Sequence, residues 1–395
     1  MLYFLKEKHD CTGCSACVAN CPVNCIIMKE DIEGFLYPTA SDDCIHCGKC
    51  ERTCPQRLYN SVKSAVDMPQ EAYAALSKDY KIWKRSASGG AFSEICKAWD
   101  KNAYFVGARW NGLTVQEDII QGIENITPLC KSKYIYSNPG NCFSNIKELL
   151  DAEKKVLFAG TPCQVAGLKS FLTREYSNLL LVDLICHGVG SPKVFNECLN
   201  DLETQFGSKV KGYEFRSKRD AYEADYLSRI EFENGKKVYV LKDPYNQLFL
   251  QQKCLRPSCG KYCKYRSNKR QGDITIADYK GLTQVFPELR GTNRNYSTIV
   301  INSSRGKDLF EKMQTISIKK CEMKDIENYN PLFFHQTFYS DLRDAFFEKF
   351  SESPQSAIKD NTSQLIISKR HFARRIFDSL PFRIRRIVIR LLKRG

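Results

Sequence analysis

Four cysteines spaced Cys11-x2-Cys14-x2-Cys17-x3-Cys21 and followed by Pro22 recur as Cys44-x2-Cys47-x2-Cys50-x3-Cys54 followed by Pro55. No other feature constrains the fold as strongly. Three thiolates on one tight loop cap three irons of a 4Fe–4S cubane, and the fourth iron needs a thiolate from elsewhere. In a doubled run of this spacing the last cysteine of each half serves the other half's cluster. One cluster then uses Cys11, Cys14, Cys17 and Cys54, the other Cys44, Cys47, Cys50 and Cys21, and neither half folds alone. Gly13, Ser15, Ala16 and Gly48 are small enough for backbone N–H groups to approach the sulfurs, which tunes the potential. Zinc wants one tetrahedron of ligands, often from separated pairs, and leaves two identical runs unexplained. Cys25 has no place in the scheme and reads as a packed thiol.

The other cysteines bear on the redox compartment. Nine of 19 fall in the first 54 of 395 residues, whereas a secreted disulfide scaffold is short and Cys-dense throughout. Metal ligation in a reducing cytoplasm fits better. With 43% hydrophobic and 27% charged residues the chain is globular, not disordered, and long enough for two or three domains. It has no apolar run of membrane-spanning length and no signal peptide, so a cytoplasmic location is expected. The formal charge of +15 is uneven: ten Lys/Arg against Asp378 give residues 369–395 a charge of +9, leaving +6 for the rest. That is not the uniformly basic surface of a nucleic-acid binder, and no nucleic-acid partner is expected.

After a Cys-rich unit over residues 1–58 comes a polar, weakly structured connector, 56–70. Short apolar strands then alternate with amphipathic helices. Strands are predicted at 72–76, 103–110, 156–159 and 179–185, helices at 89–99, 141–150, 163–172 and 193–206, the rhythm of an α/β body. Strands at 210–216, 226–233 and 236–241, the last two joined at Asn234-Gly235, a strong hairpin signal, add a β-rich insertion. A polar stretch, 351–363, precedes the basic tail. The expected architecture is an α+β ferredoxin-like N-terminal domain with two 4Fe–4S clusters (1–58), an α/β body in two regions (71–152 and 153–345), and a C-terminal basic amphipathic helix (364–395).

Five segments follow one another through the body: Ser86-Ala87-Ser88-Gly89-Gly90-Ala91, Gly160-Thr161-Pro162-Cys163-Gln164, Cys186-His187-Gly188, Arg256-Pro257-Ser258-Cys259, and Gly272-Asp273 through Ala277-Asp278. In this order, behind a doubled ferredoxin run, they resemble the family of the coenzyme F420 hydrogenase/dehydrogenase beta subunit, in its version with a fused N-terminal two-cluster ferredoxin. The resemblance runs from Cys11 to about residue 300. It implies an iron–sulfur flavoprotein oxidoreductase that passes electrons from its clusters to FAD and on to an organic substrate. Relatives from surface-polysaccharide loci make a lipid-linked or nucleotide-linked sugar a plausible substrate class. The alternative it implies is a non-catalytic electron relay docking a partner oxidoreductase. Either way a redox partner, a ferredoxin or an oxidoreductase subunit, is expected.

Under that resemblance Ser88, Gly89 and Gly90, at a helix start, offer free N–H groups to the FAD pyrophosphate, against a plain cap with two turn glycines. Thr161 and Gln164 follow a buried strand at the sheet edge where α/β proteins bind ligands, and read as flavin or substrate contacts. His187 ends the next strand, either as proton donor or flavin partner or as a structural histidine. Cys254-x4-Cys259-x3-Cys263 suggests a third 4Fe–4S site completed by Cys163 or Cys186, against a loop of free thiols. Ala277 stands where the family usually has glycine. Arg216 and Lys218 suit a phosphate or acidic substrate, or form a solvated charge run. In the tail, apolar residues at 384, 387, 388, 391 and 392 lie on one helical face amid arginines and lysines, which suits peripheral contact with an anionic membrane through 369–395.

Overall fold

The computed structural model describes residues 1–218, 227–292, 294–336 and 341–367, together with Leu380, Ile384 and Ile387. The repeat in the cysteine runs is also a repeat of backbone. Each run turns through a left-handed residue into a short helix: Ser15 (φ 60°) before α1 (Ala16–Ala19), and Gly48 (φ 68°) before α2 (Lys49–Thr53). Between them β1 (Ile26–Glu30) and β2 (Leu36–Ala40) form an antiparallel hairpin.

From residue 71 the chain alternates. Strands β3 (Glu71–Ser77), β4 (Tyr104–Asn111), β5 (Thr114–Gln121), β6 (Val156–Gly160) and β7 (Leu179–Leu184) enter the large sheet. β8 (Val210–Glu214), β9 (Ser228–Phe232) and β10 (Lys237–Leu241) leave it for a second, antiparallel sheet. β11 (Ile274–Asp278), β12 (Ser297–Ile301) and β13 (Ile316–Cys321) return, and β14 (Ile366–Ile367) pairs with β10. The large sheet has the order β13-β3-β12-β11-β7-β6-β4-β5. Its centre, β11-β7-β6-β4, is parallel and its flanks are antiparallel. The body is therefore mixed α/β.

Period-two alternation covers the sheet on both faces. Leu157, Leu180 and Val182 pack with residues of α4 (Ala91–Trp99), which follows α3 (Tyr80–Arg85). Val156, Phe158, Leu179 and Leu181 pack with residues of α5 (Cys142–Asp151) and α6 (Pro162–Leu172). Cys14 and Ala16 join that second layer. Phe4, Phe35 and Tyr37 share another core with Phe215, Tyr245 and Phe195, the last from α7 (Pro192–Phe206). The Cys-rich domain is thus cemented to the body through two cores rather than tethered.

The two connecting stretches are both held against the body. Residues 56–70 carry no regular element, yet they are strapped to the body: Ser64 Oγ and the Ala65 N–H both donate to the Arg270 carbonyl, and Asp67 accepts from Ser304. The polar stretch 351–363 is not a spacer, because the helix Pro354–Asn361 seats Ala357 and Ile358 in the core while its other residues stay polar. Of the amphipathic helix expected over 364–395, residues 364–367 are described, and apart from three isolated positions the rest lies outside the described residues. Among the described residues no helix is long and apolar enough to cross a membrane.

Candidate iron–sulfur and cofactor site

Cys11, Cys14, Cys17 and Cys54 line one cavity, and Cys21, Cys44, Cys47 and Cys50 line another. These are the two crossed sets read from the spacing. Burial pushes the Cys14 thiol up to about 12, with Cys54 and Cys11 adding to the rise, and it drives Cys17 well above the usual thiol value. Thiols that raise one another in an apolar cavity stay protonated and inert until a thiolate-seeking metal displaces their protons. Among the described residues no three Cys, His, Asp or Glu side chains converge tightly enough for a single ion. The thiols instead surround cavities, as a polynuclear centre requires. Cys25 is buried as expected, but its sulfur lies 3.4 Å from that of Cys21 and lines the second cavity.

A third set forms in the body. α6 opens after β6 on Thr161 and Pro162, which puts Cys163 in the first turn, and Cys186 follows the parallel neighbour β7. Cys259 and Cys263 flank a one-turn helix, Gly260–Tyr262. Cys163, Cys186, Cys259 and Cys263 line one cavity. Burial raises Cys163, Cys186 and Cys259, and proximity within the set raises them further. Where the expectation joined Cys254, Cys259 and Cys263 to either Cys163 or Cys186, the cavity is lined by both Cys163 and Cys186, and Cys254 is not in its wall. Cys254 is fully buried with Cys198 and Tyr245, and its carbonyl accepts from the Ser191 N–H at 2.8 Å. Thr12, Gly13 and Gln56 line both the first and the third cavity, so a single turn of chain separates them.

The third cavity adjoins a larger one of about 320 Å³, with Thr161, Gln164, Cys186 and Gly188 common to both. Ser88 and Gly90 line the large cavity, but the expected cradle of free N–H groups is partly spent. The Gly89 N–H donates to Ser297 Oγ at 2.9 Å, and Ser88 Oγ donates to the Tyr296 carbonyl at 2.6 Å. A Cβ on Gly89 would stand 2.2 Å from the Ala75 carbonyl, so this glycine serves the close approach of α4 to β3. Gln164 Oε1 accepts from the Thr161 N–H at 2.9 Å, while its Nε2 donates to Glu117 Oε1 at 3.0 Å and Ser137 Oγ at 2.9 Å. It braces the cavity wall with both ends of its amide.

His187 lines the same cavity, but its Nε2 lies 3.0 Å from the Phe249 carbonyl and burial lowers it to about 4. A neutral ring that gives its proton to a carbonyl is poorly placed to protonate a ligand. Of the roles left open for His187, proton donor, flavin partner or structural histidine, this bond supports the structural one, a ring held in the cavity wall. Arg216 and Lys218 turn inward: Arg216 pairs with Asp278 at 2.6 Å, and Lys218 Nζ donates to the Ser88 carbonyl at 2.5 Å over the Trp83 ring. Ala277 also lines the cavity. So does Glu117, which the sequence does not reveal. It comes from edge strand β5, where Gln116-Glu117-Asp118 hides the strand pattern. Burial raises it to about 6 against hydrogen bonds from Ser137 and Gln164, and its Oε2 has no partner.

Residues 10–58 match the 4Fe-4S dicluster domain and residues 153–328 the C terminus of the coenzyme F420 hydrogenase/dehydrogenase beta subunit. An uncharacterized protein of Methanocaldococcus jannaschii is 22% identical over 347 residues, 78% of this chain and 89% of that protein. One of the subunits of the F420H2 dehydrogenase of Methanosarcina mazei is 25% identical over 215 residues, 49% of this chain and 59% of that relative. A 7Fe ferredoxin of Hydrogenibacillus schlegelii is 32% identical over 85 residues, 22% of this chain and 100% of that ferredoxin. Among solved structures, a chain of the F420-reducing [NiFe] hydrogenase complex from Methanosarcina barkeri superposes with a TM-score of 0.43 at 17% identity, covering 76% of this chain and 93% of that one. With its paired cysteine runs, its mixed α/β body and both family matches in their expected places, the chain belongs to the family of the coenzyme F420 hydrogenase/dehydrogenase beta subunit, in the form carrying a fused 4Fe–4S ferredoxin-type domain.

Proposed function

We propose that the chain is an iron–sulfur flavoprotein oxidoreductase in which three four-thiol sites form a line from the surface to a flavin and substrate cavity. One observation carries this reading: the third cavity shares lining residues with the first cavity and with the large one. Cys17 of the first set is influenced by Cys50 of the second. The first and third cavities share Thr12, Gly13 and Gln56, and the third shares Thr161, Gln164 and Cys186 with the large cavity. When bound, 4Fe–4S clusters carry single electrons and a flavin pairs two of them for hydride-level chemistry.

The chain's own residues set the order. Cys47 is exposed, and Tyr3, Val23 and Ile45 beside it leave 71%, 41% and 60% of their surface to solvent. This apolar rim is where a one-electron donor protein docks. Cys11 and Cys14 are buried, which keeps the middle of the line dry. Ser88, Gly90 and Thr161 hold the flavin on the far side, and Glu117 offers its unpartnered oxygen to a donor group of the ligand. An organic substrate, such as a nucleotide-linked or lipid-linked sugar, is reduced or oxidised there.

Anaerobic purification with iron, sulfide and flavin assays tests the reading. About twelve irons and one flavin per chain are expected, and about eight irons without flavin would sink it. The second reading, an electron relay without substrate chemistry, is favoured by the relative that is itself named as part of a dehydrogenase. Recovery of a stoichiometric partner, with a flavin that no substrate reoxidises, would select it.

A further inference from the structure

Arg256 lies between the first and third thiol sets. Its carbonyl accepts from the Cys259 N–H at 2.9 Å, and its side chain crosses into the Cys-rich domain. There Nε donates to the Cys11 carbonyl at 2.9 Å, and Nη2 donates to the Leu36 carbonyl at 2.9 Å and to Cys11 Sγ at 3.6 Å. Nη1 has no partner and faces Gly13, which lines both cavities. The side chain is fully buried.

Two other deeply buried arginines have carboxylates. Arg270 pairs with Asp183 at 2.9 Å, and Arg343 with Glu33. The hydrogen bonds of Arg256 run to carbonyls and one sulfur, with no carboxylate among them in the described residues. The Tyr37 ring, 4.3 Å away, supplies only part of the missing compensation. A buried cation without an anion is strongly disfavoured. The anion that fits is the first set's cluster, whose four thiolates outweigh its iron–sulfur core by two negative charges, or three once reduced.

We propose that Arg256 is the counter-charge of the cluster held by Cys11, Cys14, Cys17 and Cys54, and that it sets that cluster's reduction potential. The proposal rests on reading this set as a cluster site. The step concerned is the gain of one electron, supplied by a docked donor by way of the second set's cluster, with no bond made or broken and no proton moved. Because reduction adds negative charge beside a fixed cation, Arg256 favours the reduced state and raises the potential of this centre above that of the same centre without it. The Nη2 contact to Cys11 acts in the same direction. Arg256 is a positioning and tuning residue: it touches a ligand, not the substrate.

The test is a redox titration of the anaerobically prepared full chain, followed by EPR, for wild type, Arg256→Lys and Arg256→Met. In Arg256→Met one cluster signal should titrate at lower potential while the others stay put, and Arg256→Lys, which keeps the charge, should move less. Unchanged midpoints in Arg256→Met, or equal shifts in both variants, would overturn the proposal. If Arg256→Met holds no iron, the chelated chains decide. Without the cluster's charge the Met variant should melt no lower than wild type, and a lower melt would refute the counter-charge role. Wild-type chain lacking the iron for this set would instead refute the cluster reading itself.

Discussion

Gly167→Ala tests whether α6 physically joins two thiol sets. Gly167 follows Cys163 by four residues, so both lie on one face of the helix. Cys163 lines the third cavity, while a Cβ on Gly167 would stand 2.9 Å from both Cβ and Sγ of Cys14 and 3.4 Å from the Phe143 ring. Non-bonded carbons settle about 3.5–4.0 Å apart, so α6 or Cys14 must retreat by about 0.6–1 Å. Two effects oppose each other. Alanine favours the helix over glycine by about 1 kcal/mol, and over-packing of this size costs about 1–3 kcal/mol. The gain belongs to the helix whether or not metal is bound, whereas the penalty falls on a cluster ligand. We expect the metal-free variant to melt at or slightly above wild type and the holo variant to retain the first cluster less tightly, by up to about 150-fold for the full penalty of about 3 kcal/mol. Iron and sulfide assays after dilution, with EPR of the reduced protein, read this directly. Full iron, an unaltered EPR signal and a raised melting temperature together would refute the idea that α6 presses on Cys14.

Cys186→Ser and Cys259→Ser should each cost about four irons, while Cys254→Ser should cost none; iron loss in Cys254→Ser would restore the ligand set expected from spacing. Glu117 gives a pH signature. Its folded value is raised to about 6 from an ordinary 4.5 by burial, so between those values the folded chain binds more protons than the unfolded one and stability falls as pH rises. The loss should total about 2 kcal/mol by pH 7 and vanish in Glu117→Gln, measured as urea midpoints at pH 4.5 and 7; a flat wild-type profile would contradict it. Deleting residues 369–395 should abolish binding to anionic vesicles without changing iron content, and unchanged binding in a sedimentation assay would dispose of the membrane contact.

Short-range signals are easy to read in this sequence, and long-range ones are not. The Cys runs, the apolar strands 156–160 and 179–184, and the Asn234-Gly235 turn each carry their geometry within ten residues, and the structure has hairpin and strands where the pattern puts them. Spacing cannot distinguish a sulfur facing a cavity from one facing the core, and Cys254 packs in the core with Cys198 and Tyr245. Gly89 resembles a phosphate cradle because its real constraint, the Ala75 carbonyl, comes from a strand fourteen residues earlier. Glu117 and Arg256 are silent for the same reason. Their roles exist only once β5 meets α6 and the Cys-rich domain meets the body.

The charge of the molecule follows the same division. The body's formal surplus of +6 counts every cysteine as neutral, yet each four-thiolate cluster adds two negative charges, so the two of the dicluster domain bring it to about +2, and the proposed third would bring it to about zero. Two cations near those charges lie inside: Arg256 against Cys11, and Arg266 in the wall of the third cavity. Charges matched in the interior contribute little to the outer field of the loaded protein. Loading the clusters leaves the +9 of residues 369–395 unchanged. Salt should therefore release any anionic surface bound to that tail while leaving the iron content untouched.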